Sequence, residues 1–116
     1  MTDTNIVDTI NVDIYVGLKE GYDGEQHGFE ELEDLLQEMC NEDPICVCVI
    51  PCSYVYKGGK ENGAVIRLIN YPRFPSNQRL LKERAIKMAE SLKLHFKQNR
   101  ISVQAPDMTY MIGATI

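Results

Sequence analysis

One stretch, Ile45–Pro75, constrains the fold more than any other: ICVCVIPCSYVYKGGKENGAVIRLINYPRFP. Two runs rich in Val, Ile, Cys and Tyr, Ile45–Tyr56 and Ala64–Tyr71, flank the segment Lys57–Gly63. β-Branched and aromatic side chains suit a pleated, packed surface, and Gly58, Gly59, Asn62 and Gly63 suit backbone that turns through positive φ. The reading is a long antiparallel hairpin with residues 57–63 as its turn. Its first strand is apolar on both faces, with Cys46, Cys48, Ile50 and Cys52 opposite Val47 and Val49, as in a strand inside a covered sheet or packed against another subunit. Pro51 cannot donate to a ladder, so it marks a bulge or a lapse in pairing.

Residues 1–9 are polar and read as a flexible N-terminus, leaving 10–116 as a single domain. Ile10–Val16 alternates, with Ile10, Val12, Ile14 and Val16 on one face, which predicts a half-buried strand. The glycine-rich segment Gly17–Gly28 follows as a loop longer than a strand-to-helix connection usually needs. Phe29, Leu32, Leu35, Leu36, Met39 and Cys40 form one helical stripe, and acidic residues crowd the first turns where the helix dipole favours them. The spacing predicts a helix over 29–40, stopped by Asn41–Pro44. A second helix opens at Ser76 as N-cap and runs to Gln98 or Asn99, its stripe formed by Leu81, Ala85, Met88, Ala89, Leu92 and Phe96. Ile101–Ala105 reads as a strand, and Met108–Ile116 as an extra strand or an edge cover.

The order β-α-β-β-α-β predicts an α+β, ferredoxin-like domain: an antiparallel sheet, two helices on one face and a long hairpin central in the sequence. The helix-free face would carry apolar residues of the hairpin, and a patch of that kind marks an interface, so an oligomer is expected. In element order, residues 10–112 resemble the CutA and PII-type trimers. The resemblance implies hairpins packed between subunits, a trimeric assembly and, for the PII-like members, a nucleotide held in clefts between subunits.

Charge divides along the chain. Residues 1–43 hold 13 acids and one base, whereas residues 44–116 hold 4 acids and 11 bases. The basic part could meet a small anion, but the overall charge of −5 argues against bulk nucleic-acid binding. No apolar run approaches the ~20 residues of a membrane helix, and the first residues lack a signal-peptide pattern, so a cytoplasmic location is expected. Cys40, Cys46, Cys48 and Cys52 then read as reduced core thiols. Alternate residues of one strand lie too far apart for three thiols to converge on zinc, and no metal or other cofactor is expected.

The strongest candidate binding site lies on the hairpin and its exit. Tyr54, Tyr56 and Tyr71 can stack on a base, and Lys57, Lys60, Arg67 and Arg73 can meet phosphate. Asn70 can donate and accept. Arg67 interrupts an apolar strand and must reach solvent, a ligand or an acid, the last drawn from the acidic first helix of a neighbouring subunit. No catalytic residue is assigned. Asp23, Glu25 and His27, spaced two apart in the glycine-rich loop, could hold a divalent ion or supply a general base. The leading functional reading is a non-catalytic oligomer that binds an anionic nucleotide-like molecule between subunits. A second is a phage- or mobile-element-type interaction protein whose acidic helix docks a basic partner. A third is an enzyme using the Asp23–His27 loop.

Overall fold

The computed structural model describes residues 3–21 and 24–113. Five strands and two helices follow in the order β1 (Asn11–Gly17), α1 (Phe29–Glu42), β2 (Val47–Tyr56), β3 (Gly59–Ile69), α2 (Gln78–His95), β4 (Arg100–Gln104) and β5 (Thr109–Gly113). The strands form one sheet in the order β2-β3-β1-β4-β5, and every neighbouring pair is antiparallel. This is the ferredoxin-like arrangement, with β5 added as an edge strand beside β4.

The core follows from the alternation. Val12, Ile14 and Val16 of β1, Ala64, Ile66 and Leu68 of β3, and Ile101 and Val103 of β4 are buried on the face that the helices cover. Against them pack Leu32 and Leu36 of α1, and Leu81, Ala85, Met88, Ala89 and Leu92 of α2, with Phe96 just beyond. The opposite face holds Asp13 and Tyr15 of β1, Cys48, Ile50, Cys52 and Tyr54 of β2, Val65 and Arg67 of β3, and Ser102 and Gln104 of β4. Among the described residues no helix is long and apolar enough to cross a membrane.

Several local expectations change. The turn is Lys57–Gly58 alone, because Tyr56 already pairs with Gly59, and Gly58 supplies the left-handed φ of 86°. Residues 59–63 are strand because they complete a ladder with Cys52–Tyr56, in a ribbon that needs no apolar face beyond the helices. Pro51 makes no bulge: the register runs unbroken from Val47↔Leu68 to Tyr56↔Gly59. β2 is an edge strand, where a missing N–H can face outward at no cost. Within one chain the helices cover only one face of β2: Cys46 and Cys48, on the other face, are exposed, as is Val55 near the hairpin tip.

The helix ends also move. α1 runs to Glu42, and its C-cap Asp43 donates its N–H to the Met39 carbonyl. Asn77, not Ser76, caps α2, its side chain accepting from the Leu80 N–H at 2.9 Å. α2 stops at His95 because Lys97 turns left-handed, with φ 50°. The Gln98 N–H then reaches back to the Lys93 carbonyl at 2.9 Å and the Lys97 N–H to Leu94 at 3.4 Å, the paired bonds of a Schellman stop.

Candidate functional site

On the helix-free face, where β1, β3 and β4 meet the base of the projecting hairpin, lies an open groove of about 520 Å³. Tyr15, Tyr54, Glu61, Gln98, Arg100 and Gln104 are among its walls. Gly17 is part of its floor, and Gly63, its cross-strand partner, lies beneath the Tyr54 ring. A Cβ on Gly17 would lie 2.6 Å from the Gln98 Oε1 and 3.2 Å from a Glu61 carboxylate oxygen. A Cβ on Gly63 would collide with the Tyr54 ring and with the Val16 carbonyl. The two glycines therefore let a tyrosine, a carboxylate and an amide lie close over the backbone.

Each wall is held differently. The Tyr54 hydroxyl donates toward the main-chain carbonyls of Ala64 at 2.9 Å and Val16 at 3.2 Å. Burial above all, with neighbouring Cys52 and Glu61, pushes its pKa far up, so the phenol keeps its proton. The Schellman stop turns Gln98 out of α2. Its amide nitrogen donates to the Lys19 carbonyl at 2.6 Å and to Phe96 at 3.1 Å, which fixes the amide in place. Tyr15 donates to Gln104 at 2.6 Å. Glu61 is half-buried, yet among the described residues its carboxylate has neither a hydrogen bond nor an ion pair.

The site residues expected from sequence do not gather in one place. Tyr54 is in the groove. Tyr56 is half-exposed near the hairpin tip, its ring against Gly59, and Lys57 and Lys60 are exposed at the tip. Arg67 pairs within its own chain: it donates to both oxygens of Asp13, at 2.8 and 3.0 Å, across the β1–β3 ladder. The acid is thus the cross-strand neighbour, not a residue of the first helix. Asn70 is buried, donating to the Asp8 carbonyl and accepting from the Ser76 N–H, both at 2.8 Å, so it ties the chain ends of β1 and β3. Tyr71 stacks on Phe74 with ring centroids 6.1 Å apart, and Arg73 sits 5.5 Å over Phe74. Six residues of strand, ~20 Å, separate Tyr54 from the level of Arg67, farther than one nucleotide's base and phosphates would place them. Tyr15, Glu61, Gln98 and Gln104 went unnoticed in the sequence. The Gly17 and Gly63 positions were visible there, but only the β1–β3 register sets them side by side.

The cysteines are free, and Cys46 and Cys48 are exposed, so they are not core thiols of the chain. In the loop before α1, Asp23 lies outside the described residues. Glu25 is exposed and His27 is nearly buried, with Nε2 3.0 Å from Glu20 and Nδ1 3.0 Å from Glu31. His95 Nε2 lies 2.8 Å from the same Glu31. The hydrogen bond to Glu31 leads the rise in the His27 pKa, and the bond to His27 leads the fall in that of Glu31.

No protein-family profile and no curated protein sequence matches the chain. Solved structures do. One is a phage SAM lyase in complex with S-methyl-5'-thioadenosine, with a TM-score of 0.77 and 17% identity over 98% of this chain and 96% of that one. Another is a phage SAM lyase in the apo state, with a TM-score of 0.68 and 17% identity over 90% of this chain and 89% of that one. At that identity the likeness establishes the shared fold.

Proposed function

We propose that the chain is a lyase for a sulfonium nucleoside of the S-adenosylmethionine class, bound in the groove between Tyr15, Tyr54, Glu61 and Gln98. The observation that carries the reading is Glu61, a half-buried carboxylate with no partner among the described residues, beside two tyrosines. A sulfonium has charge but no N–H to donate. What recognises it is a bare carboxylate and the faces of aromatic rings, and this groove offers both. Gln98, Ser102 and Gln104 offer amide and hydroxyl groups for the ribose and the adenine edge. Arg100, exposed at the rim, suits the carboxylate of the amino-acid arm. The fold's likeness to a lyase holding a thioadenosine favours the same reading.

The chemistry needs little from the protein. Breaking the bond between sulfur and the γ-carbon sends the electron pair to sulfur and releases neutral S-methyl-5'-thioadenosine. The substrate's own carboxylate attacks the γ-carbon and closes a five-membered lactone, so no water is consumed and atoms balance. Opposite charges on carboxylate and sulfonium cancel as the step proceeds, so a groove that excludes water favours it. Glu61 holds the sulfonium end, and Arg100 and the amides hold the rest in reach. A second copy of the chain, seated on the open helix-free face, would close the groove; this keeps the oligomer and a nucleotide-like small ligand as expected from sequence, but replaces the anionic ligand and non-catalytic role with a sulfonium substrate and catalysis.

Incubation with S-adenosylmethionine, followed by chromatography, tests the proposal. S-Methyl-5'-thioadenosine should accumulate with time and enzyme, and Glu61→Gln should slow its release by roughly 100-fold or more. If no thioether forms above the protein-free control and calorimetry detects neither compound binding, the proposal fails.

A further inference from the structure

We propose that Glu20, Glu25 and His27 form a binding site for a divalent first-row transition ion of the zinc type, separate from the groove. Each offers one ligand atom, and the three atoms lie within 4.8 Å of one another. His27 Nε2 and Glu20 Oε1 are 3.0 Å apart. Ligands ~2.0–2.2 Å from a tetrahedral ion stand roughly 3.3–3.6 Å from each other, so this pair is already near the required spacing. Glu25 is exposed and free to close by a rotamer change.

The loop backbone holds the three together. Lys19 and Gln26 form a β-bridge, the Glu20 N–H donates to the Glu25 carbonyl at 2.8 Å, and the His27 N–H donates to Leu18 at 2.6 Å. Glu20 and Glu25 therefore sit side by side, although the sequence separates them by five positions. The spacing Asp23-x-Glu25-x-His27 pointed to this loop, but Glu20 enters only through the bridge.

A second observation comes from outside the ligand set. The other ring nitrogen of His27 faces the Glu31 carboxylate on α1, and His95 on α2 holds that carboxylate from the far side. The Glu31 carboxylate holds the hydrogen on Nδ1, the support that a metal-bound imidazole needs, and an ion would take the place of the hydrogen that Nε2 now donates to Glu20. The ring is packed edge-on to Phe96, centroids 5.1 Å apart at 79°, and its side chain is only 11% exposed, so it cannot swing away. Three carboxylates meet here with one lysine, Lys97, whose Nζ is 3.9 Å from Glu20 on a side chain 72% exposed. A dication seated between His27 Nε2, Glu20 and Glu25 would meet two of those carboxylates directly. One imidazole and two carboxylates suit zinc-type ions, whereas calcium and magnesium favour oxygen alone.

The test uses the full chain with Cys46→Ser and Cys48→Ser, since exposed thiols also bind zinc. Calorimetry with Zn²⁺ and visible absorption with Co²⁺ should show one saturable site per chain. His27→Gln should abolish it, and Glu31→Gln should weaken it by about 10- to 100-fold. Glu33→Gln, on the exposed side of α1, should leave it unchanged. Glu25→Gln, whose side chain is exposed, guards against loss of fold and should weaken binding while circular dichroism stays the same. No saturable binding, or binding that survives both His27→Gln and Glu25→Gln, overturns the proposal. Neither result depends on whether the groove cleaves a nucleoside.

Discussion

The ring of Tyr54 fills the space that a side chain at position 63 would need. Gly63→Ala pushes a methyl into that ring and into the Val16 carbonyl on the neighbouring strand, and the strand backbone cannot yield as a flexible side chain would. Chemical denaturation should show a loss of about 1–3 kcal/mol. S-Methyl-5'-thioadenosine binding should weaken at the same time, because Tyr54 leaves the groove wall.

The Arg67–Asp13 pair separates two readings of the hairpin. If Arg67 met a ligand phosphate, Arg67→Ala would weaken nucleotide binding by roughly 10- to 150-fold. Its bonds to Asp13 satisfy it within the sheet instead. Arg67→Ala should leave binding of S-methyl-5'-thioadenosine unchanged, as read by calorimetry. Its effect should be a small loss of stability that high salt reduces further in the parent, since the pair is partly exposed.

In chelator-containing buffer, stability should depend on the His27 proton. The folded chain raises the His27 pKa, so it binds that proton more tightly than the unfolded chain does. The stabilisation is complete below the ordinary histidine value of about 6.5 and fades as pH rises through the higher folded value. Denaturation midpoints measured across neutral pH should fall with rising pH in this window, and His27→Gln should flatten that slope. A slope that survives the substitution assigns the effect to another group.

Thiol reactivity should follow exposure. Cys46 and Cys48 are exposed, whereas burial leads the rise in the pKa of the Cys40 thiol, which lies close to Cys46 and Asp43. Native-state labelling followed by peptide mapping should modify Cys46 and Cys48 first and Cys40 last. Fast labelling of Cys40 would contradict its placement on the inner side of α1.

The helix-free face should be where copies meet. Val65 is half-buried at the centre of that face, next to Ile50 on the edge strand. Val65→Lys should convert an assembled protein to single chains in native mass spectrometry, while circular dichroism is retained. Val47 and Val49 lie on the helix-covered face instead, so lysine there should unfold the chain rather than separate subunits. A wild-type protein already monomeric at micromolar concentration removes the shared-groove reading.

Alternation at Ile10–Val16 and the stripes of both helices made the layers of this fold readable, because burial on one face imposes a period that sequence displays directly. The edge position of β2 was not readable. A strand of Val, Ile and Cys looks the same whether its outer edge is covered or bare, and only pairing order decides. The groove was legible at one residue, Tyr54. Glu61 sat in a run of glycines and lysines that resembled a turn, and Gln98 lay in what read as helix. Both positions depend on long-range facts: a ladder that continues to Gly59, and a left-handed Lys97.

That left-handed residue ties two distant parts of the molecule to a single length of chain. Gln98 is at once the last contact of α2, the anchor of the loop at Lys19 and a wall of the groove over Gly17. Its three roles leave the connection from His95 to Arg100 no slack. One residue gained or lost there would carry the amide away from both loop and groove, while the buried stripe from Leu81 to Leu92 stayed in place. Among chains that share this architecture, the interior should tolerate wide drift in sequence, whereas insertions and deletions should avoid these few positions.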